Sequence, residues 1–288
     1  MAVMDSTSHD IRELFDVALA TARGAADLVR QRRAELAGSG TLATSAETKS
    51  TDVDPVTVVD KESEAYILRQ LAHRRPADGI VGEEGADVAS QSGVRWIVDP
   101  IDGTVNFLYG LPQYAISIAA AVGEELLAAV VINVASGHTY VARKGEGAYV
   151  STGGEDWLRL QVSGETDVSH ALVATGFSYS PQWRAQQAEI LRSVLPTVRD
   201  IRRMGSAALD LCALAEGAVD AYYEHGTHPW DYAAGAVIAA EAGAVVSHPG
   251  VSDRGGDGAL VTACAPGIAR ELTELLHEAG ADRDLGAR

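Results

Sequence analysis

The chain is poor in basic residues. Its 288 residues include 23 Lys and Arg against 40 Asp and Glu, which gives a formal net charge of −17. Nucleic acids and anionic membranes are bound largely through Lys and Arg, so this balance argues against a general binder of either. The same charge repels anionic substrates. A phosphate ester would therefore need bound cations that reverse the local field.

Cysteines and long apolar runs are also scarce. The two cysteines, Cys212 and Cys264, lie in apolar surroundings without Cys-x-x-Cys spacing, which indicates free core thiols in a reducing compartment. Residues Met1 to Asp10 lack the apolar core of a signal peptide, and no run approaches the ~20 apolar residues of a membrane span. The eight histidines are scattered without zinc-ligand spacing. We therefore expect a cytoplasmic globular protein.

What the chain does have is an informative stretch from Trp96 to Phe107. The apolar run Trp96-Ile97-Val98 predicts a buried strand. Asp99-Pro100 predicts the end of that strand, because proline has no N–H to give to a sheet. The chain is then expected to turn.

The turn is predicted at Asp102-Gly103-Thr104, where Asp offers cap chemistry to a new helix and Gly permits a tight corner. Asp99 and Asp102 would both stand at this corner, and two carboxylates repel each other unless a cation lies between them. Free N–H groups at the start of a helix suit a phosphate. Metal plus phosphate is one hypothesis, and a capped turn at the end of a buried strand is the other.

Apolar periodicity predicts a mixed α+β fold with no internal repeat or low-complexity linker. We expect one domain over residues 1–288, with an antiparallel meander from about Tyr114 to Val162 and alternating strands and helices after it. An N-terminal half, about residues 1–165, would carry the main metal motifs and this meander. A C-terminal half, about residues 166–288, would consist of the alternating strands and helices and would include Asp231. The predicted helices run over about His9–Leu36, Thr57–His73, Pro181–Leu195, Ser206–Glu216, Trp230–Ala242 and Pro266–Ala279.

Four acids fall at predicted strand ends or helix starts: Glu83, Asp99, Asp102 and Asp231. Glu83 follows the short strand that begins at Gly79, so two strands with acids at matching ends could pool them in one cleft. Four pooled carboxylates need about two or three divalent cations to be tolerable in a partly dry site. An all-oxygen ligand set favours Mg²⁺, with Mn²⁺ or Ca²⁺ as substitutes. Local pattern alone does not bring Asp231 to the other three.

Three segments together resemble the inositol monophosphatase family of lithium-sensitive, Mg²⁺-dependent sugar phosphatases. They are Asp99-Pro100-Ile101-Asp102-Gly103-Thr104-Val105-Asn106-Phe107, Gly82-Glu83-Glu84 and Trp230-Asp231-Tyr232-Ala233-Ala234-Gly235. The likeness extends from about Lys49 to Gly243. It implies the five-layered αβαβα sandwich of inositol monophosphatases and fructose-1,6-bisphosphatases, and usually a homodimer.

The resemblance also implies a metal site. A first Mg²⁺ would be held by Glu83, Asp99 and the carbonyl oxygen of Ile101. A second would be held by Asp99, Asp102 and Asp231, so that Asp99 bridges the two. A third, weaker ion would sit on Glu83 and waters. Mn²⁺ would be a substitute, whereas Li⁺ and Ca²⁺ would inhibit.

Catalytic roles follow from the same match. Gly103 and Thr104 would present backbone N–H groups to the phosphate. The Thr104 hydroxyl and Glu83 would orient the attacking water. Asp60 matches a residue thought to help the catalytic threonine, and Lys49 matches a mobile loop.

Substrate-binding roles are implied as well. Gly205, Ser206 and Ala207 match the segment that lines the substrate ring. Glu224 matches the acid that accepts hydroxyl groups of inositol, and His228 matches a residue beside the phosphate. The implied substrate-binding set also includes Asp102, Gly103, Thr104 and Asp231.

Three functions are weighed on this basis. The first is hydrolysis of myo-inositol-1-phosphate and related polyol phosphates by direct in-line attack of a metal-activated water. The second is the same chemistry on histidinol phosphate, fructose 1,6-bisphosphate or 3′-phosphoadenosine 5′-phosphate. The third is a regulatory protein-binding role on the same fold, as suspected for some bacterial members with the transcription apparatus. The net charge of −17 argues against direct RNA contact but permits a basic protein partner.

Overall fold

The structure is a computed structural model that describes residues 10–39, 46–48, 55–153, 156–252 and 258–286. Lys49, which the sequence placed in a loop near the site, lies outside these residues. None of the described helices is both long and apolar enough to cross a membrane.

The described residues form helices and strands in close to the predicted order. The helices are α1 (Ile11–Ser39), α2 (Val58–Arg74), α3 (Thr104–Tyr109), α4 (Pro181–Val194), α5 (Ala207–Ala215), α6 (Pro229–Glu241) and α7 (Ala269–Glu278). The strands are β1 (Ala46–Thr48), β2 (Pro55–Thr57), β3 (Gly79–Gly82), β4 (Asp87–Val88), β5 (Val94–Asp102), β6 (Ala115–Val122), β7 (Glu125–Asn133), β8 (Thr139–Arg143), β9 (Gly147–Ser151), β10 (Leu158–Arg159), β11 (Leu172–Thr175), β12 (Asp200–Arg202), β13 (Ala221–His225), β14 (Val245–Ser247) and β15 (Leu260–Cys264).

The strands form two large mixed sheets and one small hairpin. The first large sheet has eight strands in the order β10-β9-β8-β7-β6-β5-β3-β4, and its strands from β5 to β10 pair antiparallel, which confirms the predicted meander. Only β3 and β5 run parallel within it. The second has five strands in the order β12-β11-β13-β15-β14, of which the first three are parallel. Strands β1 and β2 pair with each other.

Three apolar cores hold five layers together, because one of them fills the space on both sides of the middle helix layer. Helices α1 and α2 pack on one face of the eight-stranded sheet through residues such as Leu14 and Ile67. Helices α5 and α6 lie between the two sheets, where Leu211 and Ile238 are buried against strands of both. Helices α4 and α7 cover the outer face of the five-stranded sheet. This layering confirms the expected αβαβα sandwich; the single-domain prediction for residues 1–288 stays a prediction.

The two cysteines are where the sequence placed them. Cys212 is on α5 in the core between the sheets, and Cys264 ends β15. Both are buried and free, which confirms the expectation of core thiols.

Candidate active site

The parallel pairing of β3 and β5 brings two predicted site acids side by side. Gly82 is in register with Val98, and the N–H of Glu83 donates to the Val98 carbonyl at 3.3 Å. Because parallel strands end at the same edge of a sheet, Glu83 and Asp99 follow these partners into one cleft. The sequence predicted this pooling from the matching strand ends.

Strand β5 does not end at Asp99-Pro100, as the sequence predicted, but continues to Asp102. The Pro100 carbonyl accepts a hydrogen bond from the buried Ser63 hydroxyl at 3.1 Å. Pairing with β6 is irregular here: Asp99 lies opposite Ser117 and Asp102 opposite Ala115, so β5 has one residue more than its partner. Side chains three apart in a regular strand point to opposite faces, and the bulge lets both aspartates face the same cleft. The bulge also accommodates a proline inside a strand.

Gly103 makes the corner that follows. Its φ is +89°, and a Cβ there would lie 2.6 Å from the Gln113 carbonyl and 3.2 Å from the Gly205 carbonyl. Only glycine suits such a position. Gly103 precedes α3 with no side-chain cap, so the prediction that Asp102 caps this helix is wrong. The Thr104 hydroxyl turns back and donates to the Ile101 carbonyl at 3.0 Å.

Asp102 instead holds the start of α5. Its Oδ2 accepts hydrogen bonds from the Ser206 hydroxyl at 2.6 Å and from the Ala208 N–H at 2.8 Å. This contact places the segment Gly205-Ser206-Ala207 against the acidic corner. Burial raises the pKa of the Asp102 carboxyl to about 6, while the hydrogen bonds from Ser206 and Ala208 oppose that rise.

Asp231 reaches the cleft from the first turn of α6. Its Oδ2 accepts the N–H of His228 at 2.7 Å, which forms one arm of a capping box, and the His228 ring stacks on Trp230 at 4.7 Å. The Ser117 hydroxyl donates to the Trp230 carbonyl at 3.1 Å. Because Ser117 lies opposite Asp99 in the sheet, this bond fixes the beginning of α6 beside the acids of β5.

The acids affect one another strongly. Burial is the largest cause that raises the pKa of the Asp99 carboxyl well above its usual value. The next causes are all negative charges, those of Glu83, Asp102, Asp231 and Asp60. Asp231 has its pKa raised in the same way, by burial and then by Asp102 and Glu83. Among the described residues, the main charges acting on Asp99 and Asp231 are other carboxylates, and such a set matches the donor chemistry of a hard divalent ion.

The carboxylates of the acidic corner do not form a ready-made metal site among the described residues. Within the ranges described above, no three His, Cys, Asp or Glu side chains form a group that could hold a metal ion. Asp99, Asp102 and Asp231 each accept a hydrogen bond from a donor of the protein. In Asp99, it is Oδ1 that accepts the Ile101 N–H, at 2.9 Å. The carboxylate oxygens of this donor set nevertheless fit Mg²⁺ in their chemistry.

Glu224 lies at the end of β13 on the side of the cleft toward the five-stranded sheet. The Tyr222 hydroxyl donates to its Oε2 at 3.1 Å, and a Cβ on Gly176 would overlap its carboxylate. Burial raises the pKa of Glu224 to about 7, against opposing effects of Arg203 and the Tyr222 hydroxyl. The negative charge of Asp102 adds to the rise in the pKa of Glu224.

Sequence reasoning missed three residues of this region. Glu64 on α2 accepts the Glu84 N–H at 3.0 Å through its Oε1, which supports the turn after Glu83. Asp210 on α5 is 1% exposed, and Arg203 acts electrostatically on both Asp210 and Glu224. Asp210 had a signal, since it is the single charge in the apolar helix that follows Ser206.

Comparisons with known proteins identify relatives of this chain. A model of the family described as "Inositol monophosphatase family" matches residues 10–281. The inositol-1-monophosphatase SuhB of Mycobacterium tuberculosis is 49% identical over 286 residues, which cover 95% of this chain and 97% of that protein. The solved structure of Mycobacterium tuberculosis SuhB has a TM-score of 0.80 and 45% identity, covering 94% of this chain and 98% of the other. A Vibrio cholerae protein named Nus factor SuhB is 36% identical over 230 residues, 79% of this chain and 84% of its own length.

Proposed function

Because the chain belongs to the inositol monophosphatase family and is a phosphatase, we propose that it is a Mg²⁺-dependent phosphomonoesterase for myo-inositol-1-phosphate and related polyol phosphates. The observation that carries the proposal is the acidic cleft in which Glu83, Asp99, Asp102 and Asp231 act on one another. Glu224, at the other side of that cleft, offers a carboxyl group to hydroxyls of the leaving alcohol.

The residues that would hold the metal are the four acids and one carbonyl. Two or three Mg²⁺ ions would be held by the carboxylates of Glu83, Asp99, Asp102 and Asp231 and the carbonyl of Ile101. When bound, Mg²⁺ supplies Lewis acidity, which lowers the pKa of the attacking water and neutralises charge on the phosphate and the leaving oxygen. Mn²⁺ would substitute, because it also prefers oxygen ligands.

The protein groups then position the reactants. Backbone N–H groups of Gly103 and Thr104 bind phosphate oxygens. Glu83 and the Thr104 hydroxyl orient a water molecule in line with the ester bond, and Glu83 accepts its proton as the water attacks phosphorus. Asp60, on the first turn of α2, is buried and acts electrostatically on Asp99, consistent with a supporting role. As the new bond from the water oxygen to phosphorus forms, the ester P–O bond breaks, and the leaving oxygen takes a proton from solvent water to give the free polyol, without a phosphoenzyme.

Substrate contacts follow from the other wall of the cleft. The segment Gly205-Ser206-Ala207 would line the ring of the polyol, since Ser206 is bonded to Asp102. His228 would lie beside the phosphate at the start of α6. Glu224 would accept hydrogen bonds from hydroxyl groups of the polyol.

A phosphate-release screen tests the substrate. The esters are myo-inositol-1-phosphate, histidinol phosphate, fructose 1,6-bisphosphate and 3′-phosphoadenosine 5′-phosphate, each with Mg²⁺, Mn²⁺ or chelator. We expect the highest kcat/KM for the inositol ester and no activity in chelator. A severalfold preference for histidinol phosphate, or activity that does not depend on a divalent ion, would overturn the proposal.

The family resemblance also leads us to propose a cytoplasmic homodimer that Li⁺ and Ca²⁺ inhibit. Both ions would act at Mg²⁺ positions, Li⁺ in the product complex. We expect millimolar Li⁺ to lower the rate of inositol phosphate hydrolysis. A rate unaffected by Li⁺ would contradict the proposed lithium inhibition. Light scattering would test the proposed dimer.

A second candidate function is a regulatory protein-binding role, which the name of the Vibrio cholerae relative favours. The variant Asp99→Asn separates the two functions. It should abolish hydrolysis because Asp99 is proposed to contact both ions, whereas a protein-binding role should survive it. Loss of protein binding in Asp99→Asn, with the fold intact by circular dichroism, would count against an independent regulatory role.

A further inference from the structure

Asp210 is a buried acid that the mechanism above does not use. It lies in the first turn of α5, four residues after Ser206, which is bonded to Asp102. Its side chain is 1% exposed, and its Oδ1 has no hydrogen-bond partner among the described residues. A buried carboxylate oxygen without a partner is unfavourable, so its retention here calls for a physical reason.

Helix capping does not supply that reason. The Ser206 hydroxyl caps α5 by accepting the Leu209 N–H at 3.3 Å, and the Asp210 N–H is bonded to the Ser206 carbonyl at 2.9 Å. The helix start is therefore satisfied without the Asp210 side chain. The buried Asp78 shows the contrast, because its carboxylate accepts hydrogen bonds from the Trp96 indole at 3.0 Å and the Ser92 hydroxyl at 2.6 Å.

The surroundings of Asp210 belong to the substrate side of the cleft. The charges that act on its carboxyl are those of Glu224, Asp102 and Arg203. Arg203 lies over Gly205, where a Cβ would be 2.6 Å from its Nη1. Burial raises the pKa of the Asp210 carboxyl well above its usual value, ahead of the effect of Glu224. The position of Asp210 one helical turn after Ser206, whose hydroxyl is bonded to Asp102, agrees with these electrostatic effects.

We propose that Asp210 is a specificity-determining residue that binds hydroxyl groups of the leaving alcohol together with Glu224. This inference rests on the proposed function, since it concerns the same cleft. Two neighbouring carboxyl groups suit a ligand with adjacent hydroxyls, because each hydroxyl can donate to one carboxyl oxygen and accept from another group.

Selective loss of polyol esters tests this role. The variants are Asp210→Leu, which removes the polar group at similar size, and Asp210→Asn, which keeps one acceptor oxygen. We measure kcat and KM for myo-inositol-1-phosphate and for p-nitrophenyl phosphate, whose leaving group carries no hydroxyl neighbours. For Asp210→Leu we expect kcat/KM of the inositol ester to fall about 10- to 100-fold more than that of the aryl ester, mainly through KM. Asp210→Asn should recover part of the difference.

The control is Asp78→Asn, which alters a buried carboxylate outside the cleft. It should lower the midpoint of urea unfolding but leave the ratio of the two kcat/KM values within about twofold of wild type. If circular dichroism shows that Asp210→Leu does not fold, the test uses Asp210→Asn instead. The quantity measured is then its ratio of kcat/KM for the inositol ester to kcat/KM for p-nitrophenyl phosphate. Equal losses on both esters in the Asp210 variants, or no loss, would overturn the proposal.

The substrate preference of the wild-type enzyme tests the proposed function separately from the role of Asp210. If the wild type prefers another sugar or polyol ester, the proposed inositol substrate is wrong, and the Asp210 test is judged on that preferred ester. If it hydrolyses none of the hydroxyl-bearing esters better than p-nitrophenyl phosphate, both the proposed function and the role of Asp210 are overturned.

Discussion

Replacing Glu224 with glutamine should stabilise the metal-free protein at alkaline pH. The same substitution should lower the phosphatase activity of the metal-loaded protein. The Glu224 carboxyl has its pKa raised from 4.5 to about 7 by burial. At about 1.36 kcal/mol per unit, that difference corresponds to at most about 3.4 kcal/mol of lost stability in the charged form. Part of the side chain faces the open cleft, so we expect about 1–3 kcal/mol.

The sign follows from proton linkage. The folded protein holds the Glu224 proton more tightly than the unfolded chain, so stability is complete below pH 4.5 and is lost as pH rises through about 7. Glutamine is neutral at every pH and still offers an oxygen to the Tyr222 hydroxyl. Glu224→Gln should therefore match wild type near pH 5 and exceed it at pH 8.5.

Urea unfolding in chelator at these two pH values measures the effect. The free energy of unfolding of Glu224→Gln minus that of wild type should be about 1–3 kcal/mol larger at pH 8.5 than at pH 5. The matched control is Glu189→Gln on α4, whose side chain is 70% exposed and which should change stability by less than about 0.5 kcal/mol at both pH values. A Glu224→Gln protein no more stable than wild type at pH 8.5 would refute the reasoning.

Three further substitutions have defined outcomes. Gly176→Ala would press on the Glu224 carboxylate, so KM for the inositol ester should rise about tenfold while p-nitrophenyl phosphate is less affected, as steady-state kinetics would show. Gly103→Ala would place a Cβ 2.6 Å from a backbone carbonyl at positive φ, and urea unfolding should reveal a loss of about 2 kcal/mol or more. Asp231→Asn should lower kcat by orders of magnitude with an unchanged circular dichroism spectrum; wild-type activity at saturating Mg²⁺ would contradict its assignment.

The parts of the site that could be predicted from sequence depend on local pattern. Glu83 and Asp99 each follow a short apolar run, and two parallel strands necessarily end at one edge of a sheet. Asp231 was found on the first turn of a predicted helix, where it forms a capping box with the His228 backbone. Strand ends and helix starts of this kind can be predicted because they depend mainly on residues that are adjacent in sequence.

The parts that could not be predicted depend on contacts between distant segments. Proline at position 100 predicts the end of a strand, yet the bulge opposite β6 lets β5 continue to Asp102. Asp102 suggested a cap for the next helix, but its carboxylate is bonded to Ser206, 104 residues later. Neither the bulge nor this pairing has a periodicity in the chain, since each is decided by where another strand or helix packs.

Helix α5 connects the two halves of the site through side chains one turn apart. Ser206, at its N-terminus, donates a hydrogen bond to Asp102 of the acidic corner, and the charges of Asp102 and Glu224 both act on Asp210. Gly235 of α6 packs so closely on Leu211 of α5 that a Cβ there would come within 2.7 Å of the leucine side chain, so α5 and the helix that carries Asp231 are closely packed. In the proposed mechanism, this packed pair of helices between the two sheets would set the separation between the phosphate end and the alcohol end of the ester. That separation would select a substrate by the length and hydroxyl pattern of its leaving group, while the same acids would serve whichever phosphate is attached.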